Sequence, residues 1–323
     1  MRTSLRGLTA AALPVLLSAY LLNVGPDDPA RSDHTPQDAG AATASTRAAG
    51  ATSQTRGTSG AADAVDKILV LVVENHSLEQ MRSGMPFTAG LADRYGHAVN
   101  YHAITHPSLP NYLAIAGGTT GGVTDDAPPA ANPLAGQTVF GQALEHGRTA
   151  RVYADGMQGS CTLQNGGSGY AVRHNPWAYY PAERRACQSY DVPLTSLRRD
   201  IADGRLPNVG MVIPNVCHDA HDCSLASADA WFRQQLTALM NGPDWASGHL
   251  AIVVTADEDD WNHGNQVLTT VISPGVRSLV VRSPLTHYSL SRALSEVAGG
   301  RPLQRAAGAP SLLRAFGLHA GAA

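Results

Sequence analysis

Lys67–Val73 (KILVLVV) runs directly into Glu74-Asn75, and Leu250–Ala256 (LAIVVTA) runs directly into Asp257-Glu258-Asp259-Asp260. Unbroken apolar runs rich in β-branched residues suit strands buried on both faces of a parallel sheet. Such sheets bind ligands beyond the carboxyl ends of their strands. Carboxylates gathered there repel one another unless a cation lies between them, so the two runs together predict a divalent-metal site formed by Glu74, Asn75, Asp257 and Glu258.

Between the two runs lies Thr105-His106-Pro107-Ser108-Leu109-Pro110-Asn111-Tyr112, after a strand-like run at 98–104 and before the apolar stretch Leu113–Ala116. Pro110 suits the first turn of a helix, where its missing N–H costs nothing. Ser108 then sits at a helix N-terminus, where free N–H groups and the helix dipole favour an anion. A serine hydroxyl beside a metal and an anion site suits phosphoryl transfer; a lone Ser-Pro turn would only cap a helix. A third apolar run, Val209–Pro214, leads into Asn215-Val216-Cys217-His218-Asp219-Ala220-His221-Asp222-Cys223. Two His-Asp pairs bracketed by cysteines concentrate ligand and acid/base groups in one loop.

Five segments, VVENHS (Val72–Ser77), THPSLPNYLAIAGG (Thr105–Gly118), PNVCHDAHDCS (Pro214–Ser224), VVTADEDD (Val253–Asp260) and THYSLSRALSEVAG (Thr286–Gly299), resemble the phosphoesterase family of bacterial acid phosphatases and phospholipases C, within the alkaline phosphatase-like superfamily. The resemblance runs from about residue 66 to about residue 318, in family order. Its short length and HDAHDC loop look most like the secreted acid phosphatases classed as phosphatidylinositol-3-phosphatases. The resemblance implies a three-layer α/β/α fold with a mostly parallel central sheet. Glu74 and Asn75 become metal or phosphate ligands, and Asp257 and Glu258 close the metal site. Ser108 becomes the nucleophile, and Asn111 stabilises an equatorial phosphate oxygen. His106, His218 and His221 contact phosphate or protonate the leaving group, with His287 a weaker candidate. Superfamily relatives carry an Asp-His pair where this chain has Asp257-Glu258, which leaves calcium, magnesium, zinc and manganese open. Asp260 and His263 fit no part of the pattern and read as solvated loop residues.

The charge balance, 23 Lys+Arg against 26 Asp+Glu, shows no basic stripe and excludes a nucleic-acid footprint. Nothing implies a stable protein partner. Arg2 and Arg6 precede an interrupted apolar stretch, Leu8–Val24, which reads as an export signal or retained anchor over 1–25. The Ala/Thr/Ser/Gly-rich segment 26–65 reads as a disordered linker, leaving 66–323 as one catalytic domain. Four cysteines in an exported chain predict two disulfides; sequence proximity favours Cys161–Cys187 and Cys217–Cys223. Strands are expected at 67–73, 98–104, 149–155, 209–214, 250–256 and 266–273. Helices are expected at 110–117, 138–146, 194–203, 227–241, 288–298 and 311–317. The segment 156–193 reads as a disulfide-tied excursion near the site, or as a surface loop. The expected function is a secreted metal-dependent phosphatase acting on phosphate monoesters, lipid phosphates among them, through a phosphoserine. A phospholipase C-type phosphodiesterase and a non-catalytic calcium-binding protein are the alternatives.

Overall fold

A computed structural model describes residues 63–321. The expected export signal or anchor and nearly all of the expected linker lie outside them. Strand pairing reaches back to Ala64–Val65, which lies parallel to His319–Ala320, so the folded domain begins slightly before residue 66.

Eight strands form the central sheet: β1 (Lys67–Val73), β2 (Gly96–Ala98), β3 (Ala150–Ala154), β4 (Asp191–Pro193), β5 (Val209–Ile213), β6 (Leu250–Ala256), β7 (Thr269–Ile272) and β8 (Leu279–Val281). Their spatial order is β8-β2-β7-β6-β1-β5-β3-β4. All pairings are parallel except those of β7, which runs antiparallel to both neighbours. Every residue of β6 and all of β1 after Lys67 are buried, so helices cover both faces. One helical group comprises α1 (Leu78–Gly84), α2 (Pro86–Arg94) and α5 (Leu225–Met240); the other comprises α3 (Ser108–Gly117), α4 (Val139–Glu145) and α6 (His287–Val297). This is the expected three-layer arrangement.

The register of the two central strands sets the position of the acids that follow them. Lys67 pairs with Leu250 and the ladder runs without a bulge to Val73 opposite Ala256. Glu74 and Asp257 therefore leave the sheet side by side, and the Asp257 N–H still donates to the Val73 carbonyl at 3.1 Å. On the other flank of β1, β5 pairs Val212 with Leu71 and delivers the 215–223 loop to the same edge.

The expected strand at 98–104 is divided. Only Gly96–Ala98 joins the main sheet, and Tyr101–His102 pairs separately with Leu285–Thr286. The chain leaves β-structure beyond His102 because the Asn111 side chain takes the Ile104 and Thr105 amides, at 2.9 and 3.2 Å, that a ladder would otherwise use. Helix α3 is capped by Gly118, whose φ of 67° is left-handed and where an added Cβ would collide with the Leu303 carbonyl. Helices α1 and α2 were not expected, although the Ser77/Gln80 capping box and Pro86 at the start of α2 mark their beginnings.

The segment 156–193 is no surface loop. It folds into short 3-10 turns and the helix Arg184–Tyr190, and it buries Tyr170, Val172, Trp177, Tyr179 and Tyr180. Both expected disulfides are present, Cys161–Cys187 across 26 residues and Cys217–Cys223 across 6. Chain-entropy scaling gives about 3.5 kcal/mol for the longer loop and about 2.2 kcal/mol for the shorter. Urea unfolding of the Cys161→Ser/Cys187→Ser and Cys217→Ser/Cys223→Ser variants should show the larger stability loss for the first pair. The reverse order would contradict the role of Cys161–Cys187 as the staple of the 156–193 segment.

Candidate active site

Four buried acids meet at the carboxyl edge of the sheet. Glu74 and Asp257 come from the paired ends of β1 and β6, Glu258 follows Asp257, and Asp219 arrives from the loop after β5. The Glu74 N–H donates to the Asp219 carbonyl at 2.7 Å, which ties that loop to the strand end.

Ser108 is the first residue of α3, and its Oγ donates to Glu74 Oε2 at 3.0 Å. The Tyr112 hydroxyl, one turn further along the same helix, donates to Glu74 Oε1. Both Glu74 oxygens are thus held by one helix. His174, fully buried in a 3-10 turn of the 156–193 segment, places Nε2 3.2 Å from Glu74 Oε2 and Nδ1 3.2 Å from Asp219 Oδ2. Ligand atoms of Glu74, His174 and Asp219 all lie within 4.8 Å of one another, a spacing that suits a shared ion.

Asn75 lies in the left-handed region, at φ 54°, where asparagine is among the more tolerant residues. Its N–H donates to Asp257 Oδ1 at 3.3 Å. Asn75 Oδ1 and Asp257 Oδ2 are both buried with no hydrogen-bond partner. Two orphaned acceptor oxygens beside a carboxylate cluster lack a positive charge, and the oxygen donors present fit a divalent cation.

The electrostatics of the metal-free cluster agree. Burial, together with the charges of Glu74 and Glu258, holds the Asp257 carboxyl well above its ordinary value. Burial and the charges of Glu74, Asp126 and Asp259 push Glu258 up to about 9. Burial also favours protonation of Glu74, but the adjacent His174 outweighs it and keeps Glu74 below the ordinary value. Conversely, Glu74 and Asp219 overcome the burial of His174 and raise it to about 9. These acids cannot all ionise without a compensating charge.

The remaining candidates divide into those that reach the cluster and those that do not. Asn111 is fully buried and donates to the Thr105 and Pro107 carbonyls at 2.7 and 3.2 Å and to Glu258 Oε2 at 3.3 Å. It ties the 104–107 turn to Glu258, and both ends of its amide are engaged. His106 reaches the cluster, with Nδ1 3.0 Å from Glu258 Oε2 and Nε2 3.4 Å from Asp259 Oδ1, and its ring stacks on Trp261 at 3.9 Å.

His218 instead points to the end of β3, with Nδ1 2.5 Å from Asp155 Oδ2 and its ring stacked on Trp231. His221 bonds its neighbour Asp222 at 2.7 Å, and its ring centre is 6.4 Å from that of His174. Among the described residues neither contacts Ser108 directly. His287 lies beneath the site. Its Nε2–H donates to the Asp257 carbonyl at 2.6 Å and its Nδ1 accepts from the Tyr101 hydroxyl at 3.0 Å. Burial lowers it to about 4, which keeps the neutral tautomer those two bonds require. Asp260 and His263 pair with each other at 2.7 Å on the half-exposed loop beyond β6.

Sequence reasoning missed His174 and the carboxylate of Asp219 as members of the cluster. The run His174-Asn175-Pro176-Trp177-Ala178-Tyr179-Tyr180 carried a signal, because three large aromatics in seven residues are costly to leave in a solvent-facing loop.

The comparisons with known proteins follow the same lines. The family model described as Phosphoesterase family matches residues 79–299. A phosphatidylinositol-3-phosphatase of Mycobacterium tuberculosis is 30% identical over 253 residues, covering 77% of this chain and 82% of that protein. An acid phosphatase of Aspergillus fumigatus is 26% identical over 214 residues, covering 61% of this chain and 46% of that protein. A solved protein of the alkaline phosphatase superfamily from Vibrio parahaemolyticus superposes with a TM-score of 0.52 at 11% identity, covering 73% of this chain and 67% of its own. The phosphonate monoester hydrolase of Agrobacterium radiobacter gives 0.51 at 11% identity, covering 77% of each chain. The fold is therefore alkaline phosphatase-like, and the chain belongs to the Phosphoesterase family.

Proposed function

We propose that this chain is an exported, metal-dependent phosphatase that hydrolyses phosphate monoesters through a phosphoserine on Ser108. The observation that carries this reading is the Ser108 Oγ–Glu74 Oε2 bond of 3.0 Å, set within a cluster whose Asn75 and Asp257 oxygens are orphaned. Family membership and the named phosphatases among its relatives support the reaction class. The relative named as a phosphatidylinositol-3-phosphatase makes phosphoinositides natural members of the substrate panel. Two disulfides support an oxidising location. Among the described residues no helix is long and apolar enough to cross a membrane.

Glu74, Asn75 and Asp257 would hold a divalent cation, with Glu258, Asp219 and His174 around it. Bound there, the ion supplies positive charge that favours the serine alkoxide and offsets the charge of the phosphoryl group. Ser108 directs its proton to Glu74 Oε2, which leaves its lone pairs free for phosphorus. Tyr112 and His174 keep Glu74 fixed and ionised. The Ser108 oxygen attacks phosphorus, the ester P–O bond breaks, and the departing alkoxide takes a proton. His106 is the histidine that touches the cluster while remaining partly open to solvent, so it is assigned to proton delivery. Water then cleaves the Ser108–phosphate bond, releasing phosphate and restoring the hydroxyl. Asn111 acts by position, fixing the 104–107 turn against Glu258.

Ser108→Ala should lower kcat by about 10³-fold or more, while near-UV circular dichroism and bound metal remain as in the parent protein. Acid quenching during turnover should leave phosphate on the peptide containing Ser108. Near-parental activity in Ser108→Ala, or label on a histidine, would refute the serine mechanism.

Metal removal should abolish turnover and expose the proton linkage of the cluster. In the stripped protein Asp257, Glu258 and His174 are raised, so the folded state holds protons that the unfolded chain has released. Stability then falls as pH rises from the ordinary carboxylate range toward about 9. Thermal melts should show the stripped protein less stable at about pH 8.5 than at about pH 6, with added metal raising Tm more at the higher pH. A stripped protein whose Tm is flat or rises over this interval would contradict the assignment.

A further inference from the structure

Next to the nucleophile turn lies a polar cavity of about 280 Å³, lined by Asp126, Pro128, Gln164, Asn165, Val172 and Arg173. Arg173 belongs to the same 3-10 turn as His174, so one turn serves both the catalytic cluster and this cavity. Asp126 joins the two spaces. Its Oδ1 accepts the Leu109 N–H at 2.9 Å, one residue beyond Ser108, and its Oδ2 stands 3.9 Å from Arg173 Nε.

That separation is an ion pair without a hydrogen bond. Among the described residues, the Arg173 side chain makes no hydrogen bond, although four-fifths of its side-chain surface is covered. Asn165 uses its Oδ1 on the Val172 N–H at 2.9 Å, which leaves its NH₂ for the cavity beside Gln164. A guanidinium with its planar fork unspent and two amide side chains make a donor set suited to a carboxylate or phosphoryl group. The reacting phosphoryl group must meet Ser108 Oγ, while the Asp126 carboxylate bridges the Leu109 N–H and Arg173. With its fork unspent, Arg173 is available to a second anion, one carried by the departing alcohol.

We propose that this cavity is a leaving-group subsite in which Arg173 binds a second anionic group, phosphoryl or carboxylate, of the phosphate monoester. The proposal rests on the phosphatase reading, and it makes Arg173 a specificity-determining residue. No bond is made or broken in this step.

Calorimetric binding to the metal-replete Ser108→Ala protein tests it without turnover, using phenyl phosphate, 4-carboxyphenyl phosphate and 1,4-phenylene bisphosphate. At least one of the two esters with a second anionic group should bind about tenfold or more tightly than phenyl phosphate, and the larger gap identifies the preferred anion. Arg173→Gln in the same background should close most of that gap, and Arg173→Lys should retain part of it. Three results would overturn the proposal: no gap for either ester, a gap that survives Arg173→Gln, or an equal loss for all three esters, which would place Arg173 on the reacting phosphate. If wild-type protein hydrolyses none of the three, the phosphatase reading fails while the binding gap still decides the subsite.

Discussion

The fold gathers buried carboxylates at one edge of the sheet, and the rest of the site is arranged around their repulsion. Glu74, Asp257 and Glu258 are each at most 2% exposed, and they lie at the ends of strands whose ladder permits no separation. Burying like charges is expensive unless they are protonated, paired or bound to a cation. This structure pairs Glu74 with His174, bonds it to Ser108 and Tyr112, and leaves Asp257 Oδ2 and Asn75 Oδ1 open. A cation resolves both the surplus charge and the orphaned oxygens.

Support for the cluster comes from layers that do no chemistry. The in-register parallel pairing of β1 and β6 fixes the separation of Glu74 and Asp257. His287, from the start of α6, holds the Asp257 carbonyl, and Tyr101 fixes the tautomer of His287. Asn111 holds the turn before Ser108 against Glu258. The Cys217–Cys223 bond closes the loop that carries Asp219. Each contact sets a backbone position, so a substitution at His287, Tyr101 or Asn111 should displace the backbone around the cluster.

The sequence reveals those parts of the site that share an apolar strand or a helix start. KILVLVV and LAIVVTA are read to the residue because continuous β-branched runs have one good home, and the acids that follow them inherit that position. Ser108 is legible because Pro110 and the apolar run behind it announce a helix. His174 is not legible in this way. It lies in an irregular segment with no periodicity, and its contacts with Glu74 and Asp219 cross 100 and 45 residues of chain, respectively. His218 is the opposite case. Its place in a ligand-rich loop suggested the site, but loop proximity does not set side-chain direction, and Asp155 at the end of β3 takes it. Short edge strands such as β4 and β8 were missed because a few residues cannot display a period.

The claim on which all else depends is that the acidic cluster exists to hold a divalent cation. Elemental analysis of extensively dialysed protein, made in parallel on the parent chain and on Asp257→Asn, tests it most directly. The parent should carry a stoichiometric divalent ion and the variant should show a clear loss of occupancy. A fully active parent with no bound metal, or unchanged occupancy in Asp257→Asn, would contradict it.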